Sequence, residues 1–510
     1  MSTDDQHAEF GSERPEDLGA RVRGGLRWSL ASTVAGRLLT PIVGIVLARL
    51  LSPTEFGVFA VATIALNALT SLNDLGVGMA IVRWPGDDLR PIARTATTIA
   101  VGMSLALFGI CFMAAPWFAS TLNTPEAVGV LRLLSFGVVI DGIGSVAVGY
   151  LNRGFHQKRR AAADWSGFTV SIVLTISLAA AGFGAWSLAW GRIAGNVITT
   201  VVLLALMDER PPLPGWNHTI AVKLLRFGLP LAGASLLVFG MLNVDYLVVG
   251  HQLGTAALGL YVLAFNVSSF PVNIISNPVR QVSIPAFARM QHEPDELRGA
   301  FLRSLHGLVA FVAPICVLLA VCAVPLVTFI YGDRWRPAAE ALVFLALLGG
   351  FRVVLDFFYN LLVAVGRSKV LFIIQAVWVA ALVVVLVIGA NHSGIRGVGI
   401  GHVLVAGLLI TPMFVAAVRP EHITVGALAS AVARPLAGAL VAAGAGIVVL
   451  HLVGNGFAGL AAAGSTIVAV YAVTGVSFAE LASLPRVVFG RASVDEMDEA
   501  GALAIDAAAS

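Results

Sequence analysis

A small set of charged residues inside long apolar runs offers most of the chemistry in this chain. Arg37, Arg49, Arg192 and Arg352 are cations able to meet an anionic group on a substrate. Asp74, Asp141, Asp245 and Asp356 are carboxylates able to bind an ion or gate a path. A charge at mid-bilayer costs roughly 2.5–3.5 kcal/mol on insertion scales, so such residues face a partner or a watery cavity. Arg37 stands ten residues beyond Arg27, hence about 15 Å deep at ~1.5 Å per residue. It either lines a cavity or forms a static pair with Asp74 or Asp141. Arg49 and Asp245 lie nearer the outer interface, where long side chains reach water cheaply. Arg352 and Asp356 are four apart and are expected to pair on one helical face. Arg434, followed by Pro435, is expected to serve helix packing.

No catalytic or metal constellation accompanies these charges. The ten histidines form no His-Glu-x-x-His pattern and no closely spaced His/Cys set, the spacings a metal would need. No glycine-rich loop is followed by Lys-Ser/Thr, which excludes nucleotide hydrolysis by that route. No cofactor is expected. Cys111, Cys316 and Cys322 all fall in apolar stretches and are expected as buried thiols rather than a disulfide framework.

The elements that position these residues follow from composition. Of 510 residues, 58% are hydrophobic and only 12% charged, against ~25% charged in soluble domains. With a mean hydropathy of +0.89, the chain is an all-α integral membrane protein. Fourteen apolar runs approach the roughly 20 residues that a spanning helix needs, the first near 28–50 and the last near 457–480. Gly182-Phe183-Gly184 and Gly454-Asn455-Gly456 read as turns joining tight antiparallel helix pairs. With a cytoplasmic N-terminus, 23 of the 32 basic residues fall in inside segments, 3 in outside loops and the rest within runs. That bias places both termini in the cytoplasm. The longest outside loop is expected near 116–126. The stretch around Glu293-Pro294-Asp295-Glu296-Leu297-Arg298, within an inside loop from Arg280 to Ser304, is expected to form a short amphipathic surface helix. The interior prolines Pro41, Pro230, Pro271, Pro314, Pro325 and Pro412 should break or flex helices.

The chain also repeats itself. Leu26-Arg27-Trp28-Ser29-Leu30 recurs as Leu225-Arg226-Phe227-Gly228-Leu229. Phe56-Gly57-Val58-Phe59 recurs as Leu258-Gly259-Leu260-Tyr261, and Gly184-Ala185-Trp186-Ser187 matches Gly397-Val398-Gly399-Ile400. Each repeat holds six runs, an even number, so the two have the same orientation. Parallel six-helix bundles related by a pseudo-two-fold axis along the membrane normal are a transporter architecture. The expected organisation is a disordered cytoplasmic tail (1–26), an N-terminal six-helix bundle (27–210) and a C-terminal six-helix bundle (211–420). Two additional, peripheral transmembrane helices (421–484) and a second disordered cytoplasmic tail (485–510) follow.

Ala48-Arg49-Leu50-Leu51-Ser52-Pro53-Thr54-Glu55-Phe56-Gly57-Val58-Phe59, then Asp74-Leu75-Gly76-Val77-Gly78, resembles the start of bacterial polysaccharide transporters. These are the lipid-linked oligosaccharide flippases of the multidrug/oligosaccharidyl-lipid/polysaccharide exporter superfamily. Asn243-Val244-Asp245-Tyr246-Leu247-Val248-Val249-Gly250, Pro285-Ala286-Phe287-Ala288-Arg289 and Tyr331-Gly332-Asp333-Arg334-Trp335 resemble later strings of that family. The resemblance covers roughly residues 20–420. It implies a bacterial inner-membrane protein with a cation-lined cavity that flips a polyprenyl-diphosphate-linked glycan for surface polysaccharide. The partners it implies are that lipid-linked glycan, membrane lipids and other polysaccharide-assembly proteins, with no nucleic acid. Two other functions stand beside it. A multidrug or cation-coupled exporter would share the fold and use Asp74, Asp141 and Asp245. A membrane polymerase or ligase would need a sizeable outside loop, which the spacing of the runs does not provide.

Overall fold

The computed structural model describes residues 39–73, 81, 89–154, 156–207 and 213–475. Among them the chain is all-helical, and eleven helices are long and apolar enough to cross a membrane. The first unit by contact, Met1–Gly259, contains α1 (Leu39–Leu50), α2 (Pro53–Asn73), α3 (Arg90–Thr121), α4 (Ala127–Arg153), α5 (Gln157–Ala180) and α6 (Ala185–Ala205). It also holds most of α7 (His218–Ser268), which is broken at Gly254, φ +81°. The second unit, Leu260–Ser510, contains the end of α7, α8 (Phe270–Met290), α9 (Pro294–Val321), α10 (Ala323–Tyr331) and α11 (Ala338–Ala364). It continues with α12 (Ser368–Leu404), broken at Ser393–Gly394, a six-residue π-helix at Val405–Ile410, α13 (Thr411–Val418), α14 (Val425–Val453) and α15 (Phe457–Thr474).

The string Ser52-Pro53-Thr54-Glu55 has a local physical meaning. Ser52 donates its backbone N–H (2.6 Å) and its hydroxyl (2.9 Å) to Glu55 Oε2, and the Glu55 N–H returns to Ser52 Oγ (3.3 Å). This is a capping box with proline in the first turn, and it starts α2. One turn on, Gly57 lies against the backbone carbonyl of Thr255, and Gly259 lies against that of Pro53. Each glycine meets the residue four before the other, so the contact between these two repeat-related strings is reciprocal.

Glycine also sets how closely the first unit packs. In a bilayer, helices gain from van der Waals contact and backbone proximity, which small residues permit. A methyl group on Gly191 would overlap the Thr175 hydroxyl and lie 2.8 Å from Ser171 O. One on Gly195 would lie 2.9 Å from Gly167 O and 2.8 Å from Ser171 Cβ. The Gly191-x-x-x-Gly195 face of α6 therefore beds directly onto α5. Between them, Gly182 (φ +85°) and Gly184 (φ +55°) make the expected tight turn. On α4, Gly137 and Gly144 face α6 residues Ile193, Asn196 and Thr200, while Gly142 meets Ser104 and the Ala100 carbonyl on α3.

The residues at either end of the first segment of α7 are tied to α3 and to the turn that follows it. Thr98 Oγ1 donates to Gly215 O (2.8 Å), and the Asn217 N–H donates to Thr95 Oγ1 (3.2 Å). At the far end His251 Nδ1 lies 2.6 Å from Thr121 O, and the Thr124 and Thr255 hydroxyls are 2.7 Å apart. The second unit is centred on stacked aromatics: Phe301 and Phe357 lie 4.9 Å apart, with Phe287 and Phe358 against them. Trp335 is fully buried after the Gly332 turn (φ +102°).

Two expectations are corrected. Residues 294–298 form no separate surface helix. Pro294 at the first position, with Asp295 and Glu296 in the first turn, opens α9, which runs unbroken to Val321, as the proline and the helix dipole favour. The loop expected near 116–126 is shorter than that, because α3 continues through Pro116 to Thr121.

Replacing Gly195 or Gly191 with alanine should destabilise the protein by about 1–3 kcal/mol, the usual cost of overpacking. Gly444→Ala, at a position with open space around it, should leave stability unchanged. Thermal melting of detergent-purified protein, followed by size-exclusion chromatography, checks both.

Candidate functional site

Two polar clusters follow from this packing, one in each unit. On α4, Asp141 lies four residues after Gly137 and three before Gly144, on the stripe that faces α6. With the Gly191/Gly195 face turned to α5, the adjoining stripe of α6 carries Arg192 and Asn196, one turn apart. Asn196 Nδ2 donates to Asp141 Oδ1 (3.2 Å), and Arg192 Nη2 reaches Asn67 Oδ1 on α2 (3.5 Å). Arg192 and Asp141 also attract each other electrostatically. Asn67 belongs to a polar stripe on α2 with Thr63, Thr70 and Ser71; the last two donate to its carbonyl at 3.0 and 2.8 Å. Thr63 Oγ1 is buried with no hydrogen-bond partner among the described residues. Asp141 is exposed, and Asn67, Arg192 and Asn196 are half-buried. An exposed carboxylate in the middle of a 27-residue spanning helix is too costly against lipid, so this face is wet.

In the second unit the charges stand on α11. Arg352 Nη1 donates to Ser269 Oγ (3.4 Å), and its guanidinium sits 5.4 Å over the Phe265 ring. Ser276 Oγ donates to Asp356 Oδ2 (2.8 Å), and Arg280 Nη2 donates to Asn277 Oδ1 (2.7 Å). Both Arg352 and Arg280 act electrostatically on Asp356. Asp356, Asn273 and Arg280 are exposed, so this face also requires water. Behind it, the buried Tyr261 hydroxyl meets His402 Nε2 at 3.1 Å, one turn before the π-helix.

The expected Arg352–Asp356 ion pair does not form. The aspartate lies C-terminal to the arginine, the weaker order for an i,i+4 pair, and each side chain has a serine hydroxyl instead. Arg49, at the end of α1, is exposed, whereas Asp245 is buried and accepts the Tyr246 backbone N–H at 2.9 Å. Arg37 and Asp74 lie outside the described residues. Arg280, expected in a cytoplasmic loop, lies instead within α8, because that helix runs on to Met290. The sequence reading missed Asn67 and Asn196. Uncharged amides inside apolar runs were the available signal, as was the Asn273-Ser276-Asn277-Arg280 spacing on one face of α8.

Arg192→Ala should leave Asp141 without its cation and lower the folded amount, and Asp141→Ala alone should do the same to a smaller extent. Together they should recover abundance, with a coupling of about 1 kcal/mol, as for contacting charged residues. In-gel fluorescence of tagged variants measures this.

Comparison with known proteins adds a family and a fold. A family model described as a polysaccharide biosynthesis protein matches residues 46–340. The succinoglycan biosynthesis transport protein ExoT of Rhizobium meliloti (strain 1021) is 27% identical over 368 residues, spanning 72% of this chain and 73% of its own. The lipopolysaccharide biosynthesis protein WzxC of Escherichia coli (strain K12) is 26% identical over 396 residues, spanning 75% and 77%. Among solved structures, the lipid II flippase MurJ in an inward closed conformation aligns with a TM-score of 0.69 at 14% identity, covering 89% of this chain and 98% of its own. An inward-facing multidrug resistance MATE family transporter of the MOP superfamily aligns with a TM-score of 0.59 at 18% identity, covering 75% and 94%. At these identities the structural likeness is one of fold.

Proposed function

The chain belongs to the polysaccharide biosynthesis protein family, and from that premise we propose that it flips a polyprenyl-diphosphate-linked oligosaccharide across the bacterial inner membrane. The observation that carries this reading is the exposed charge in the middle of spanning helices. Water must reach these faces, and water in mid-membrane serves a solute that cannot enter lipid. The α8–α11 cluster holds Arg280 and Arg352 against the single carboxylate of Asp356. Its excess positive charge suits a diphosphate. The lipid tail stays in the bilayer while the headgroup passes along the wet face. The transport names of ExoT and the flippase MurJ support the same reading.

The protein acts by alternating access and carries out no covalent chemistry. Two parallel six-helix repeats form its moving halves, both termini are cytoplasmic, and other polysaccharide-assembly proteins supply and consume the glycan. The multidrug-exporter alternative has the fold in its favour, but the cationic α8–α11 cluster repels the small cations such exporters handle.

Deleting the gene should abolish surface polysaccharide and accumulate lipid-linked glycan, and the wild-type gene should restore both. Arg352→Lys should restore part of the export, and Arg352→Ala little or none, at equal abundance by immunoblot. Dye efflux changing with surface glycan intact would point to the exporter. For orientation, reporters fused at Asn123, His251 and Asn455 should register outside, and those at His156 and Glu293 inside.

A further inference from the structure

The cluster in the first unit differs in kind from the one in the second. Among the described residues its one cation, Arg192, stands against the one carboxylate, Asp141. Its hydrogen-bonding capacity is largely unspent. Asp141 Oδ2 and Asn196 Oδ1 have no partner among the described residues, and neither do Asn67 Nδ2 and four of the five N–H donors of Arg192. Thr63 Oγ1 is buried and unpartnered one turn from Asn67 on the same stripe. Free acceptors and free donors thus stand side by side on three helices.

Each ligand class would meet this set differently. An anion only accepts hydrogen bonds, and it would face a carboxylate and an amide oxygen. A protonated amine only donates, and it would face the guanidinium. A hydroxyl both donates and accepts, so a polyol can satisfy carboxylate, amides and guanidinium together. Water alone would also satisfy them, but would not explain why the charges are cancelled here and left in excess on α8 and α11.

We propose that Asn67, Asp141, Arg192 and Asn196 form a recognition site for the uncharged sugar of the lipid-linked substrate. This inference rests on the flippase reading above. It makes the first unit the determinant of which glycan is carried.

The test titrates full-length protein in lipid nanodiscs with three probes: undecaprenyl diphosphate, its glucose conjugate and its glucuronic acid conjugate. Wild type should bind the glucose conjugate about tenfold more tightly than the bare diphosphate, the gain from two or so neutral hydrogen bonds. The glucuronic acid conjugate should lose that gain, because its carboxylate meets Asp141. Asn196→Ala and, on a different helix, Asn67→Ala should each erase the glucose preference and leave bare-diphosphate affinity at the wild-type level. Arg352→Gln should weaken all three probes alike. Melting curves establish that each variant is folded, and with two variants on separate helices one misfolded protein does not spoil the test. If Asn196→Ala and Asn67→Ala weaken all probes equally or change none, the sugar site is refuted while the flippase reading stands. If wild type binds none of the three, the flippase reading falls and this inference with it.

Discussion

The rotation of α6 about its own axis is the constraint on which the polar face of the first unit depends. A helix has one stripe that can approach another backbone closely, and on α6 that stripe is Gly191 and Gly195 against Gly167, Ser171 and Thr175 of α5. Once it is fixed, the residues one step further round, Arg192 and Asn196, have a single direction in which to point. Gly137 and Gly144 bring α4 into the same neighbourhood and set Asp141 opposite Asn196. The charges are thus oriented by residues that carry no chemistry. A larger residue at any of these glycines would act on the site without touching it.

The second unit reaches its polar face by other means. Aromatic stacking among Phe287, Phe301, Phe357 and Phe358 holds α8, α9 and α11 together, and the polar stripe of α8 then faces Arg352 and Asp356. By sequence offset from the Gly184 and Gly397 anchors, the stretch matching Arg192–Val197 is Val405–Ile410, an apolar π-helix. Both stretches are helical, and only the first carries polar side chains. The charges of the two clusters sit on α4 and α6 in the first unit and on α8 and α11 in the second.

Much of the scaffold was legible beforehand. The glycine turn at 182–184 and the apolar runs act through neighbours in sequence, and local rules read them. The charged candidates were legible by type, but their partners were not. Spacing alone suggested that Arg352 would pair with Asp356. Serine hydroxyls from the α7–α8 junction (Ser269) and from α8 (Ser276) took both instead, and nothing local shows which helix will face which. Asn67 and Asn196 escaped because a search by charge passes over amides, although an amide in lipid also needs a partner. The surface helix expected near 294–298 failed for the opposite reason. Its polar residues are a helix start, and they read on into the apolar run behind them.

The ties between α3 and the first segment of α7 also set a timetable for biogenesis. Thr98 and Thr95 wait for partners 117 and 122 positions downstream. At the usual 5–20 residues per second of synthesis, that is on the order of ten seconds. By then α4, α5 and α6 have been synthesised, so these two threonines of α3 pair with a segment made after all three. The first half is therefore closed by a segment that, by sequence, begins the second. A chain that stops near residue 210 therefore leaves Thr95 and Thr98 without these partners.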